Sequence, residues 1–206
     1  MAKLKSTLPN MLLSLMLISS CAAGILAAVN KQTAAPIAAA KAVALENAIK
    51  AVVPEFDNSP LTDKYSAVTS DGDSLIIYPA TKGGEAVGAA VESFSMNGFS
   101  GEIRVIVGFD TEGNIFNYSV LQHAETPGLG SKMQEWFRTE KDNRSVIGRS
   151  LSGGNLSVTK DGGQIDAITA STITSRAFLQ TINRAYSAYR ATDATTGAIK
   201  EGGKNE

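Results

Sequence analysis

Apolar and polar residues alternate most clearly in the middle of the chain. Ile103, Val105, Val107 and Phe109 occupy every second position, the spacing that lines one face of a strand. "DTEG", residues 110–113, then supplies a turn, and "NIFNYSVLQ" returns as a second strand, so the pair reads as an antiparallel hairpin. Upstream, "SLIIYPA" reads as a strand stopped at Pro79, followed by a glycine turn at residues 83–84 and the strand-like "GEAVGAAVESFS". Residues 65–68 offer one more short strand within the turn-rich "DNSPLTDKYSAVTSDGD". The period then lengthens. Met133, Trp136 and Phe137 have the i, i+3, i+4 spacing of a helix face in "SKMQEWFRT". Phe178, Ile182, Tyr186 and Tyr189 form one apolar stripe on a helix over residues 172–190. Between them, "GRSLSGGNLSVTKDGGQIDAI" reads as short strands joined by glycine turns. The sum is an α+β fold, an antiparallel sheet flanked by helices.

A different pattern governs the start. Residues 11–29, "MLLSLMLISSCAAGILAAV", carry no charge over about the length needed to cross a bilayer core. Lys3 and Lys5 precede the run, so the positive-inside rule leaves residues 1–10 in the cytoplasm and carries the rest outside. An uncleaved single-pass anchor is the expectation. A cleaved leader and a lipoprotein site at Cys21 are the alternatives; the apolar run is long for the first and continues past the cysteine for the second. Residues 30–83 then read as an alanine-rich linker ("KQTAAPIAAA"), a helical stretch over 37–53 ended by Pro54, and an irregular region. Residues 191–206 are a polar tail, expected to be disordered.

Composition narrows the chemistry. Of 206 residues, 43% are hydrophobic and 19% charged, enough for a sizeable core, and a net charge of −1 gives nucleic acid no electrostatic footing. A single cysteine, Cys21, excludes internal disulfides, iron–sulfur clusters and thiolate zinc sites. A single histidine, His123, argues against a histidine-built metal site, so no metal ligands are expected and redox chemistry would require a bound cofactor. "GGEAVG" lacks the dinucleotide-binding glycine spacing, so NAD is not expected on this chain.

Two short stretches remain. "ETPGLG", residues 125–130, is a turn with Pro127 and Gly128 at the central positions of a type II geometry. Alternatively its two glycines let backbone N–H groups approach a flat ligand, with Leu129 as an apolar contact. "DAITASTIT", residues 166–174, crowds four hydroxyls (Thr169, Ser171, Thr172, Thr174) against the start of the last helix. One hydroxyl suffices to cap a helix. The surplus, with no acidic residue in the first turn, equally suits an anion at the helix N-terminus.

"DAITASTIT" resembles the flavinylation motif Asp-x-x-Ser/Thr-Gly-Ala-Thr-x-Ser/Thr of FMN-binding domains, and "ETPGLG" is similar to the second signature of that domain. With the apolar N-terminal segment, these motifs identify the chain as a member of the G-subunit family of Rnf ion-translocating electron transport complexes. The C subunits of sodium-translocating NADH:quinone reductases share both motifs in longer chains. The resemblance spans residues 84–189 and implies an FMN-binding domain over 84–190. FMN would be joined to Thr172 as a phosphodiester by a separate flavin transferase, with Asp166, Thr169 and Thr172 in the motif that enzyme recognises. It further implies a cofactor-binding set of Glu125, Thr126, Pro127, Gly128, Leu129, Gly130, Thr169, Ala170, Ser171, Ile173 and Thr174. Glu125 and Thr126 are expected on polar flavin atoms and Leu129 on the ring face. The partners implied are the membrane and the other subunits of the complex, in which electrons pass between ferredoxin and NAD while Na⁺ or H⁺ moves. The alternative from another class is a flavin-free tethered binding module. Two positions depart from the motif: Ala170 and Ser171 replace its glycine and alanine, and Ala170 disfavours a positive φ. His123 reads as a satisfied surface histidine, and Trp136 and Phe137 as core.

Overall fold

The computed structural model describes residues 7–69 and 72–192. Most of the polar tail, whose disorder was an expectation above, and most of the short N-terminal segment lie outside these residues. The chain divides into two units, Met1–Ala44 and Leu45–Glu206.

The first unit holds most of helix α1, Leu8–Val52. Residues 31–40 are helical, not a linker: alanine is the best helix former, and its repetition there carries the helix through Pro36. An 18-residue window of α1 has a mean hydropathy of 2.3, with none of it buried, so length and composition suit a single crossing of a bilayer. Two of its hydroxyl residues fold back on helix carbonyls, Ser14 Oγ donating to the Met11 oxygen and Thr33 Oγ1 to that of Val29 (2.9 Å each). Such internal satisfaction is what an apolar medium demands of polar groups. Cys21 is exposed on this helix.

The second unit is built on a five-stranded antiparallel meander, β1 (Tyr65–Val68), β2 (Ser74–Lys82), β3 (Glu85–Gly98), β4 (Gly101–Asp110) and β5 (Ile115–Gln122), ordered in space as in sequence. Residues 65–68 and 74–82, where the sequence expects strands, are the first two strands of the sheet, although both lie within the 30–83 region set apart above as linker, helix and irregular chain. The β4–β5 hairpin forms as expected, and its register sets Val107 opposite Tyr118 and Phe109 opposite Ile115. Strand β2 does not stop at Pro79. Its pairing with β1 ends at Ile77, so no partner on that side needs the N–H that proline lacks.

Alternation gives the sheet two buried faces. Ile103, Val105, Val107 and Phe109 pack with Phe178, Ile182 and Tyr189 of α3 (Thr172–Ala191). Phe178 stacks on Phe137 at 4.4 Å and meets Tyr118 edge-on at 4.9 Å. On the opposite face Tyr78, Ala90 and Ile106 are covered by Ile49, Val52 and Val53 from the end of α1 and the residue beyond it. That second cover explains the nearly unbroken apolar run of β4.

Two expectations shrink. "SKMQEWFRT" forms a 3₁₀ turn at Gly130–Lys132 and one helical turn, α2 (Met133–Trp136); Met133 and Phe137 are nonetheless buried. Residues 148–168 form no strand ladder, only single bridges such as Val158 with Ile165 and a 3₁₀ turn at Thr159–Asp161. Glycines with positive φ at 148, 154 and 162 turn the chain too often for a ladder to propagate.

Candidate functional site

The 125–130 loop is the turn the sequence expects. Leu129 N–H donates to the Thr126 carbonyl (3.2 Å), and Gly128, with φ +76°, takes the position that favours glycine. Ser131 Oγ accepts from the Gly128 N–H, pinning the outer edge of the turn (3.0 Å). Glu125 anchors its inner edge. Its carboxylate is only 5% exposed and accepts from Thr174 Oγ1 (2.6 Å) and from the Ser100 N–H (3.0 Å). His123 Nδ1 accepts from the Glu125 N–H (3.2 Å), so this histidine is engaged in holding the loop.

The loop and the helix start therefore meet through one buried carboxylate. Gly130 makes the approach possible, since a Cβ there would lie 2.6 Å from Glu125 Oε2 and 2.8 Å from Thr174 Oγ1.

The hydroxyls of residues 169–174 do different jobs from those expected. Ser171 occupies the N-cap position of α3 but its side chain makes no cap hydrogen bond, so the capping reading fails. The helix ladder opens with Ser175 N–H on the Ser171 carbonyl (3.0 Å). The preceding N–H groups of the first turn therefore have no partner within the helix. Thr174 is buried against Glu125, and Ser171 is 8% exposed. Thr172 is half-buried, and its Oγ1 accepts from Lys160 Nζ (3.2 Å). Thr169 is exposed.

Ala170 has φ +62°. The chain follows the left-handed path that a glycine would take here, despite the Cβ that opposes it. Ala170→Gly is expected to raise stability by about 1 kcal/mol, and calorimetry of the detergent-solubilised protein should show a melting point higher by about 3 °C. An unchanged or lower value would mean that the site tolerates the strain without cost.

Asp166 sits apart from this hydroxyl row. Its Oδ2 accepts from the Asn143 N–H (3.2 Å), its own N–H donates to the Asn143 carbonyl (2.9 Å), and its carbonyl accepts from Trp136 Nε1 (2.9 Å). Trp136 is covered in turn by the Arg144 guanidinium, 4.0 Å from the ring centroid.

These elements enclose a cavity of about 300 Å³, the lower end of the range for small-molecule sites. Glu125, Thr126, Leu129, Gly130, Ala170, Ser171, Thr172, Ile173 and Thr174 line it. Pro127, Gly128, Thr169 and Asp166 lie outside the lining. The rim is apolar and open to solvent: Phe99 is 68% exposed, Ile173 50% and Leu129 41%. The sequence reading missed Phe99, which sits between β3 and β4 and belongs to no motif. Its only signal is an aromatic residue in the turn-forming "NGFSG". Lys160 was missed as well.

The electrostatics at the helix start are positive. Arg176 pairs bidentately with Asp161 (2.7 Å for both contacts); that hydrogen bonding holds the Asp161 carboxyl below the usual carboxylate range and raises the guanidinium's pKa. With Asp161 neutralised, the Lys160 ammonium and the unpaired first-turn N–H groups set the local field at Thr172 Oγ1.

Comparison with known proteins gives the site a context. Residues 98–187 match the FMN-binding domain family. The chain is 33% identical over 192 residues to the G subunit of the ion-translocating oxidoreductase complex of Shewanella piezotolerans (strain WP3 / JCM 13877), covering 88% of each chain. It is also 33% identical over 181 residues to the subunit of the same name from Yersinia pestis, 84% of this chain and 86% of that one. The Vibrio vulnificus (strain YJ016) counterpart is 35% identical over 146 residues, about two thirds of each chain.

Proposed function

Because this chain belongs to the family of G subunits of ion-translocating oxidoreductase complexes, we propose that it is a membrane-anchored electron carrier whose FMN is esterified to Thr172. The supporting observation is that loop 125–130 and residues 170–174, far apart in sequence, line one cavity of about 300 Å³. The site suits the group at both ends. A phosphate on Thr172 Oγ meets the uncapped helix start and the Lys160 ammonium. A flat ring system meets the exposed apolar side chains of Phe99, Leu129 and Ile173. Glu125 is a buttress between the loop and α3 in this reading, since both carboxylate oxygens are engaged within the protein. That replaces its expected role on polar flavin atoms.

FMN, when bound, supplies one- and two-electron redox chemistry that no side chain offers. The chain's own residues hold and orient it. Leu129 and Ile173 offer apolar surface at the mouth of the cavity, and Gly130 permits the close contact that shapes it. The hydroxyl of Thr172 is a poor nucleophile without a base, and its one side-chain partner, Lys160, is a donor. Modification by a separate transferase follows, with Asp166 and Thr169 presented for recognition. The anchor keeps the carrier beside its partners. A covalent link keeps the flavin from being lost by dilution outside the cytoplasmic membrane, the side that the positive-inside rule favours for the domain given Lys3 and Lys5 ahead of α1. Within the complex the protein relays electrons between ferredoxin and NAD while Na⁺ or H⁺ crosses the membrane; alone it has no turnover.

Mass spectrometry tests the reading. Protein co-expressed with a flavin transferase should be heavier by the mass of FMN less one water. The increment should map to the tryptic peptide 161–176, and protease applied to intact spheroplasts should reach that peptide. An unmodified peptide under those conditions rejects the covalent flavin, and protection from protease rejects the sidedness.

A further inference from the structure

Lys160 lies outside the two motifs at 125–130 and 166–174, yet its ammonium donates to the oxygen proposed as the ester site, Thr172 Oγ1, at 3.2 Å. We propose that Lys160 is the positioning residue for the flavin's phosphate, acting as its counter-ion both while the ester forms and afterwards. The proposal rests on the reading of Thr172 as the ester site.

The argument begins with the backbone that carries Lys160. It belongs to the 3₁₀ turn Thr159–Asp161, which is closed by Gly162 at φ +80°. Thr159 N–H donates to the Ile165 carbonyl (2.8 Å), Gly163 N–H to that of Val158 (3.0 Å), and Val158 and Ile165 are both fully buried. Gly163 is required at that spot, because a Cβ would overlap the Ser157 carbonyl. The turn is also tied to α3. Asp161 grips Arg176, four residues beyond Thr172 and so one helical turn along the same face. Lys160 is therefore mounted on a braced turn, fixed to the same helix that presents Thr172.

Chemistry then assigns the role. An ammonium has three protons and no acceptor, so it cannot take the Oγ proton. It can stabilise negative charge on phosphoryl oxygens joined to that Oγ, through a charge-assisted hydrogen bond. In the transfer, the Oγ–phosphorus bond forms on Thr172 and the phosphoanhydride bond of FAD breaks. AMP leaves, and the Oγ proton passes to a base on the transferase. The product is a diester of charge −1, one unit against one ammonium. Asp161, the nearest carboxylate in sequence, does not compete for Lys160 because Arg176 already holds it.

The experiment uses the full-length chain in detergent with purified transferase, FAD and Mg²⁺. It compares wild type, Lys160→Met, which keeps side-chain length without charge, and Lys160→Arg, which keeps the charge. Incorporation is followed by in-gel fluorescence and intact mass. The loaded proteins, freed of transferase, are then examined by phosphorus NMR. Lys160→Met is expected to incorporate flavin about tenfold more slowly, a charge-assisted bond discounted for its exposure. Its phosphorus resonance should move toward the position seen in denatured loaded chain. Lys160→Arg should recover most of the rate and the native resonance. Equal rates and equal resonances in wild type and Lys160→Met overturn the proposal while leaving the covalent flavin in place. A slower rate with an unshifted resonance also overturns it, because the lysine then acts on the transferase alone. A wild-type chain that takes up no flavin removes both this proposal and the reading beneath it.

Discussion

Thr172→Ala is expected to fold, to remain in the membrane and to carry no covalent flavin. Loss of the in-gel fluorescence of the denatured polypeptide should be complete, whereas stability should change by less than about 1 kcal/mol. The asymmetry follows from what Thr172 touches. Its Oγ1 accepts one exposed hydrogen bond, from Lys160, and supports nothing in the core. The helix ladder begins at Ser175 and is indifferent to the side chain at 172, where alanine is the better helix former. The neighbouring hydroxyls are poor substitutes. Thr174 is buried on Glu125, Ser171 is almost fully buried, and Thr169 stands outside the cavity lining. Fluorescence that survives in Thr172→Ala would move the attachment to one of those three. Thr172→Ser, which keeps the nucleophilic oxygen, should retain the flavin and serves as the control.

The second large effect is structural. Gly108→Ala should cost about 3 kcal/mol or more and lower the melting temperature by about 10 °C, read by circular dichroism of the solubilised protein. Gly108 lies in β4 where the end of α1 crosses the sheet, and a Cβ there would overlap the backbone carbonyl of Val52. No rotamer change relieves a clash with backbone. The Val52 end of α1 must lift, uncovering Tyr78, Ala90 and Ile106. Gly153→Ala is the matched control, because its added Cβ meets nothing within 4 Å and its φ is not positive. If both variants melt together, the close approach at Gly108 is not what holds that face closed.

Residues lining the cavity differ in how deeply they are held, and the one proposed to carry the flavin is not among those buried in the interior. Glu125, Gly130 and Thr174 form a buried contact that a substitution disturbs structurally. Thr172 is half-buried and lines the cavity, and its hydroxyl is bonded to the exposed Lys160.

By itself the sequence determined whatever depends on periodicity and on local turn chemistry. The alternation of Ile103, Val105, Val107 and Phe109 selected one face of β4, the stripe on α3 selected its buried side, and Pro127 with Gly128 selected the turn, because these are short-range steric preferences. The two motifs were legible only through their resemblance to a known family, not through periodicity or turn sterics. Tertiary structure alone decided which of four adjacent hydroxyls is buried, which is bonded and which faces the cavity, since that turns on a carboxylate 49 positions away from Thr174. It alone brought Phe99 to the rim and Lys160 to Thr172 Oγ1, long-range encounters that leave no periodic trace. It also made helix of the alanine-rich residues 31–40 and one short turn of "SKMQEWFRT", where propensity and packing outweighed the reading of local pattern.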